Sequence, residues 1–425
     1  MIIGNVFQQA YNLVDSIIVG QYLGKEALAA VGASFPLIFL LISLIIGVAS
    51  GATIIISQFY GAKQIDKVKL TNSTLMIFLL IASLVMTFIG ISLTEEVFRL
   101  IQLPEELIPQ AVSYLEVYLL GLIFFFGYNG IAAVLRGIGD SKTPLYFLII
   151  ATILNIFLDL LFIVVLNFGV EGTAYATIIS QAIALFSAVI YLQWKNSIIQ
   201  FKWKEFKFDK ELYFQSLKIG LPSGLQAIFV SLGMTAVLGI VNGFGTDVVA
   251  AYSVAIRLDA LATLPAMNFA AALSTFVGQN IGADKMDRVA KGYKSTILMS
   301  SSVSVFISIA FFFFGPQFMS FFTNDANVIA IGSQYLLIVS SFYIIFSTMF
   351  STNAVMRGAG DTIMPMFTTL IALWIVRVPA SYFLSDIFGP VGIWWSLPLA
   401  WSVGLVFSFT YYKTNRWKRI KVINK

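Results

Sequence analysis

The chain has 425 residues, of which 59% are hydrophobic and only 11% charged, a balance far more apolar than that of a soluble globular protein. It has no cysteine and no histidine, which excludes disulfides, thiol redox chemistry and a Cys- or His-ligated zinc site. The net charge of +5 gives no case for nucleic-acid binding, because the basic residues lie in the segments between apolar runs, and a proton relay would have to use carboxylates.

Apolar runs of membrane-spanning length predict twelve helices, at about 1–22, 27–58, 70–95, 110–136, 144–166 and 172–193, then 222–243, 248–279, 291–316, 331–357, 365–387 and 392–413. The first run has no basic leader and no small-residue cleavage site, and it contains Asp15, so it reads as a mature span. Pro36 in the second span and Pro265 in the eighth are expected to bend their helices.

The second half repeats the first at a constant shift of 221 positions. Ala29-Ala30 recurs as Ala250-Ala251, Gln58 as Gln279 and Gly61-Ala62 as Gly282-Ala283. The clearest match sets Val134-Leu135-Arg136-Gly137-Ile138-Gly139-Asp140 against Val355-Met356-Arg357-Gly358-Ala359-Gly360-Asp361. The expected fold is therefore an all-α integral membrane protein of twelve transmembrane helices in two homologous six-helix lobes, residues 1–205 and 206–425. An even number of spans per lobe puts the pseudo-symmetry axis along the membrane normal. The amphipathic lead-in of the second lobe, Phe208 to Leu221, has no counterpart before Met1, so about 15 further N-terminal residues are expected by the repeat.

Lysine and arginine sort to one side. Lys63, Lys67, Arg136, Lys142, Lys195, Lys285, Arg288, Arg357 and the tail from Lys413 to Lys425 lie there, against Lys25 and Arg99 on the other. The positive-inside rule then predicts that both termini and the inter-lobe linker face the cytoplasm of a multi-pass plasma (inner) membrane protein. The basic tail reads as a topology signal in contact with membrane lipids. The Arg-Gly-x-Gly-Asp loops do not complete a nucleotide fingerprint; they read as helix ends in which Gly frees the backbone and Asp starts the next helix.

Almost all acidic residues fall in loops. Asp15, Asp159 and Asp259 do not, and Glu116 stands near the start of its span and is expected at the outer interface. A carboxylate inside an apolar helix costs about 2.5–3.5 kcal/mol on insertion scales, which makes each a candidate functional site. Counting inward at 1.5 Å per residue, Asp15, Asp159 and Thr177 share a depth of roughly 8–10 Å. Asn155 is one turn from Asp159, and Tyr11 one turn from Asp15. This all-oxygen group suits a hard cation such as Na⁺, or a proton shared by two carboxyls that cannot both ionise cheaply; the alternative is that the two aspartates only hydrogen-bond neighbouring helices. Positions 236 and 380, which match Asp15 and Asp159, are alanine, so one lobe alone carries the group. Asp259 and Arg377 could meet as a compensating ion pair in the second lobe.

The run Gln8 to Gly20, with Val14-Asp15-Ser16-Ile17-Ile18-Val19-Gly20, resembles the first-helix motif of the multidrug and toxic compound extrusion (MATE) transporters, of the bacterial and archaeal type. Ser57-Gln58-Phe59-Tyr60-Gly61-Ala62, the paired Arg-Gly-x-Gly-Asp loops and Asn155-x-x-x-Asp159 resemble further motifs of that family. The resemblance spans the chain. It implies a secondary active multidrug exporter, not an enzyme, that expels organic cations or other toxic compounds by alternating access while Na⁺ or H⁺ runs inward. It implies that Asp15, Asn155, Asp159 and Thr177 form the coupling-cation site, with Gln8 and Tyr11 lining the same cavity. It implies no cofactor, small-molecule drugs as cargo and action as a monomer. Some members of the family couple through carboxylates on the seventh and tenth helices, and those spans contain none here. Glu116 departs from the family, where a basic residue is common. The second reading is a lipid-linked oligosaccharide flippase of the same superfamily, which would need basic residues in its cavity; only Arg257 and Arg377 stand within spans. A membrane enzyme or receptor has neither a nucleophile–base pair nor a soluble domain to support it.

Overall fold

The structure is a computed structural model that describes residues 14–195 and 206–420, with the isolated positions 4, 7 and 422. All regular structure among them is helical. A first helix, α1, runs over 14–18 and ends in a π-helical turn, Val19–Leu23. It is followed by α2 (Gly24–Gly61), α3 (Ile65–Leu100), α4 (Ile108–Leu120), α5 (Leu122–Gly137), α6 (Lys142–Asp159) with a π-helical turn Leu160–Val165, and α7 (Val170–Lys195). The second half holds α8 (Lys210–Asn242), α9 (Thr246–Gly282), α10 (Met286–Ser320), α11 (Ala326–Ser340) and α12 (Tyr343–Ala359). It closes with α13 (Ile363–Leu370), a π-helical turn Ile371–Arg377, α14 (Val378–Phe388) and α15 (Pro390–Lys413).

Among the described residues nine helical stretches are long and apolar enough to cross a membrane, and eleven when two bent pairs each count as one span. One of the nine, Val14–Gly61, has 48 residues, which at 1.5 Å each is about 70 Å, twice what a hydrocarbon core of about 30 Å requires. It divides at Gly24, whose φ of +89° and ψ of −177° only glycine adopts readily. The division sets off a twelfth helical segment among the described residues, 14–23.

The bent pairs are α4 with α5, at 48°, and α11 with α12, at 49°. They occupy matching places in the repeat, at Gly121 and at Ser341-Phe342. Pro36 and Pro265 lie inside the continuous helices α2 and α9.

The chain packs as two compact units, Met1–Tyr60 with Gln64–Gly220 and Gly61–Lys63 with Leu221–Lys425. Within each, the Arg-Gly-x-Gly-Asp segment does the same three jobs. The first glycine allows a close approach: a Cβ on Gly137 would stand 2.8 Å from Ile56 Cγ2 of α2, and one on Gly358 would stand 2.4 Å from Ser274 O of α9. The second glycine has φ of +94° in both copies, Gly139 and Gly360. It closes a Schellman cap through Asp140 N→Leu135 O (2.8 Å) and Asp361 N→Met356 O (2.9 Å). The aspartate then starts the next helix. Asp140 accepts from Lys142 N and Thr143 N, and Asp361 from Met364 N, so the reading of these loops as helix ends is met.

Outward-facing residues of the spans are large and apolar: Phe88, Phe306, Phe312, Phe313 and Val406 are all exposed, as lipid-facing positions should be. The interior of the second unit is aromatic, with Trp394 stacked on Tyr252 at 5.7 Å between centroids and Tyr335 edge-on to the same indole at 5.1 Å.

Candidate functional site

Asp15 and Asp159 each stand just ahead of a π-helical turn. Widening one turn re-aims side chains and frees backbone groups from the α ladder, which is why such turns gather at functional positions. The π turn after Asp15 packs on the one after Asp159 and on α7. The two carboxyls come within hydrogen-bonding reach of each other, and both are buried, at 7% and 0% exposure. A direct hydrogen bond between carboxyl groups requires a proton on one of them.

Asn155 sits one turn before Asp159 and is 1% exposed. With its amide oriented so that each atom meets its complement, its nitrogen donates to Asp159 Oδ2 at 3.2 Å and its oxygen accepts from Thr177 N at 3.3 Å. Asn155 thereby ties α6 to α7 at the level of the carboxylates. Asp15, Asn155, Asp159 and Thr177, chosen from sequence by depth and resemblance, are thus brought together. Gln8 and Tyr11 lie outside the described residues.

Asp15 Oδ1 and Asp159 Oδ1 are buried with no hydrogen-bond partner. Buried acceptors of this kind are rare unless something binds there. Among the described residues no group of three or more His, Cys, Asp or Glu side chains is placed to hold a metal ion. A cation at the pair would therefore use the amide and hydroxyl oxygens beside it, a donor set that suits a proton or a monovalent hard cation more than a divalent one.

Two residues of the site were missed in the sequence. The phenols of Tyr114 and Tyr118, one turn apart on α4 with rings 6.2 Å from each other, both interact electrostatically with Asp15, and Tyr114 also with Asp159. Tyr114 recurs in the repeat as Tyr335, which gives it the look of a packing residue. Tyr118 matches Val339, and that one-sidedness, shared with Asp15, was the available signal.

In the second unit Asp259 Oδ1 accepts from the Tyr343 hydroxyl at 2.7 Å. Arg377 is 5% exposed and within electrostatic reach of Asp259, but the direct ion pairs among the described residues are those of Arg99 with Glu95 and Glu105. The Arg377 charge thus acts on Asp259 without a direct salt bridge among the described residues. A phenol on the bent α11–α12 span is close enough to take the carboxylate's first lone pair, and the guanidinium acts from further away. Glu116 is half-buried on α4.

A family model described as MatE matches residues 1–161 and again 222–383, one copy per half. Two Bacillus subtilis proteins named "Probable multidrug resistance protein", YoeA and YpnP, are similar over nearly the whole chain. YoeA is 33% identical across 99% of this chain and 93% of its own length, and YpnP 32% identical across 100% and 95%. A Shewanella oneidensis protein named an FAD transporter is 25% identical over 94% of this chain and 89% of its own length. Among solved structures, a MATE transporter in its bent conformation superposes with a TM-score of 0.92 at 25% identity, covering 98% of this chain and 93% of that one. An outward-facing multidrug resistance MATE transporter of the MOP superfamily superposes at 0.91, covering 99% and 94%. With a family model found in each half and relatives a third identical from end to end, the chain belongs to the MatE family: it is a twelve-helix, two-lobe membrane secondary transporter, not an enzyme.

Proposed function

We propose that the protein is a multidrug exporter that couples inward movement of Na⁺ or H⁺ to expulsion of organic cations or other toxic compounds, through Asp15, Asn155, Asp159 and Thr177. The observation that carries this reading is the pair of buried carboxyls, each with one oxygen lacking a partner, held by an amide that bridges two helices. The lobes divide near residue 205, and the first does the coupling. When a cation or proton occupies the pair, its charge is compensated and α1, whose π turn packs on the Leu160–Val165 turn and on α7, can settle in one arrangement. When the pair is empty, two like charges in a desolvated site repel, and α1 takes another. A substrate that prefers the second arrangement is released as the cation binds, which is antiport by differential affinity. Gln8 and Tyr11 line the cargo cavity of the same lobe in this reading. The protein works as a monomer in the inner membrane, with both termini cytoplasmic and no cofactor.

The test is ethidium accumulation in everted vesicles, whose lumen corresponds to the cell exterior, under separate Na⁺ and pH gradients. The parent should respond to one gradient at least, and Asp15→Asn and Asp159→Asn should each lose that response. Undiminished gradient-driven efflux in both variants overturns the coupling site.

A further inference from the structure

A small cavity opens beside the carboxylate pair, lined by Tyr118, Gly121 and Phe125 at the α4–α5 bend and by Thr177, Ile178 and Gln181 on α7. Its room of about 10 Å³ takes one water molecule. The bend builds it. A Cβ on Gly121 would stand 2.3 Å from Ile178 Cγ1, so only glycine lets the bend approach α7 this closely.

Two parts of the wall are polar. Gln181 Oε1 is buried and has no hydrogen-bond partner, and Tyr118 carries the phenol that interacts with Asp15. Gln181 lies one turn beyond Thr177, about 6 Å further along α7 toward its Lys195 end. Gly169-x-x-Gly172 at the start of α7 matches Gly389-x-x-Gly392 at the start of α15 at a shift of 220, one less than elsewhere in the repeat, which sets Thr177 against Leu397 and Gln181 against Trp401.

We propose that Gln181 and Tyr118 hold a water in this cavity, and that Gln181 is the positioning residue through which the coupling cation leaves the carboxylate pair toward the Lys195 end of α7. The water donates one O–H to Gln181 Oε1 and keeps a lone pair for the cation. For Na⁺ that lone pair is the next oxygen ligand. For H⁺ it accepts the carboxyl proton, which departs as hydronium and leaves the carboxylate behind. The inference rests on the reading of Asp15 and Asp159 as the coupling site.

The test uses the full chain in proteoliposomes with Gln181→Met, which keeps the side-chain length and loses the amide, and with Gln181→Asn and Tyr118→Phe. Ethidium binding is followed by fluorescence polarisation, and cation release by ²²Na⁺ or a pH-sensitive dye. Gln181→Met should bind ethidium as the parent does, while coupled cation flux falls about three- to tenfold, the loss of one hydrogen bond to a bound water. Its dependence on cation concentration should shift, Tyr118→Phe should shift it in the same direction, and Gln181→Asn should restore part of the flux. Parental flux with unchanged cation dependence in Gln181→Met overturns the proposal. So does an equal loss of binding and flux that Gln181→Asn leaves unrepaired. Asp15→Asn and Asp159→Asn in the same assay separate the two readings: if both keep coupled efflux, the coupling site falls, and if they uncouple while Gln181→Met behaves as the parent, only the water site falls.

Discussion

Asn155 is the residue on which the site's rigidity turns, because one amide serves both the carboxylate of Asp159 and the backbone of Thr177. Asn155→Ala removes a donor to a buried carboxyl and leaves a backbone N–H of α7 without that acceptor. A change of this kind costs about 1–3 kcal/mol where the groups stay buried. If the amide serves cation binding, the half-saturating cation concentration for coupled transport should rise about tenfold, while ethidium affinity measured without a gradient stays close to the parent's. Equal losses in both would make Asn155 a folding residue only. Asp15, Asp159 and Asn155 were legible in the sequence because charge within an apolar run is expensive and has to be explained. Tyr114 and Tyr118 were not, because a tyrosine in a membrane helix has many ordinary packing reasons to be there. Asp259 was legible as an outlier but not as a geometry: the sequence offers Arg377 as the obvious partner, and only the bend between α11 and α12 brings Tyr343 to it.

At the scale of elements, the twelve spans and the two glycine-bearing caps followed from run length and from the repeat, whereas the breaks did not. Pro36 and Pro265 do not interrupt their helices. The breaks fall instead at Gly121 and Ser341-Phe342, and the π turns fall in stretches such as Leu160–Val165 whose composition is simply apolar. Their cause is tertiary contact, which one apolar stretch does not encode. The caps are encoded, and they make a prediction. Gly360→Ala and Gly139→Ala each force a Cβ into a backbone of φ +94°, at a cost of about 1–2 kcal/mol. Both should lower the unfolding midpoint of the detergent-solubilised protein. The second change should match the first, because the two caps share their geometry. Substitution of the neighbouring Ile138, whose φ is −81°, with alanine should not produce the same backbone strain.

For the whole molecule, the repeat and the charge distribution argue one orientation, and the absence of cysteine makes it directly testable, since any introduced cysteine is the chain's only thiol. Two homologous lobes with an even number of spans enter the membrane the same way round, so the loop after α10 and the segment after α15 must face opposite sides. By the excess of Lys and Arg around Lys285, Lys413 and Arg416, we propose that the second of these faces the cytoplasm. Asn324 and Thr414 are both exposed and suit single substitution. In intact cells Asn324→Cys should react with a membrane-impermeant maleimide and Thr414→Cys should not; in everted vesicles the pattern should reverse. The same orientation fixes the direction of the cation path. Thr177 and Gln181 follow one another along α7 toward Lys195, so on the proposed coupling site a cation entering at the Asp15 end would leave on the side that carries Thr414. If instead Thr414→Cys labels in intact cells, the lysine-rich face is outside, the sequence Asp15, Thr177, Gln181 runs outward, and inward cation movement could not drive export by this route.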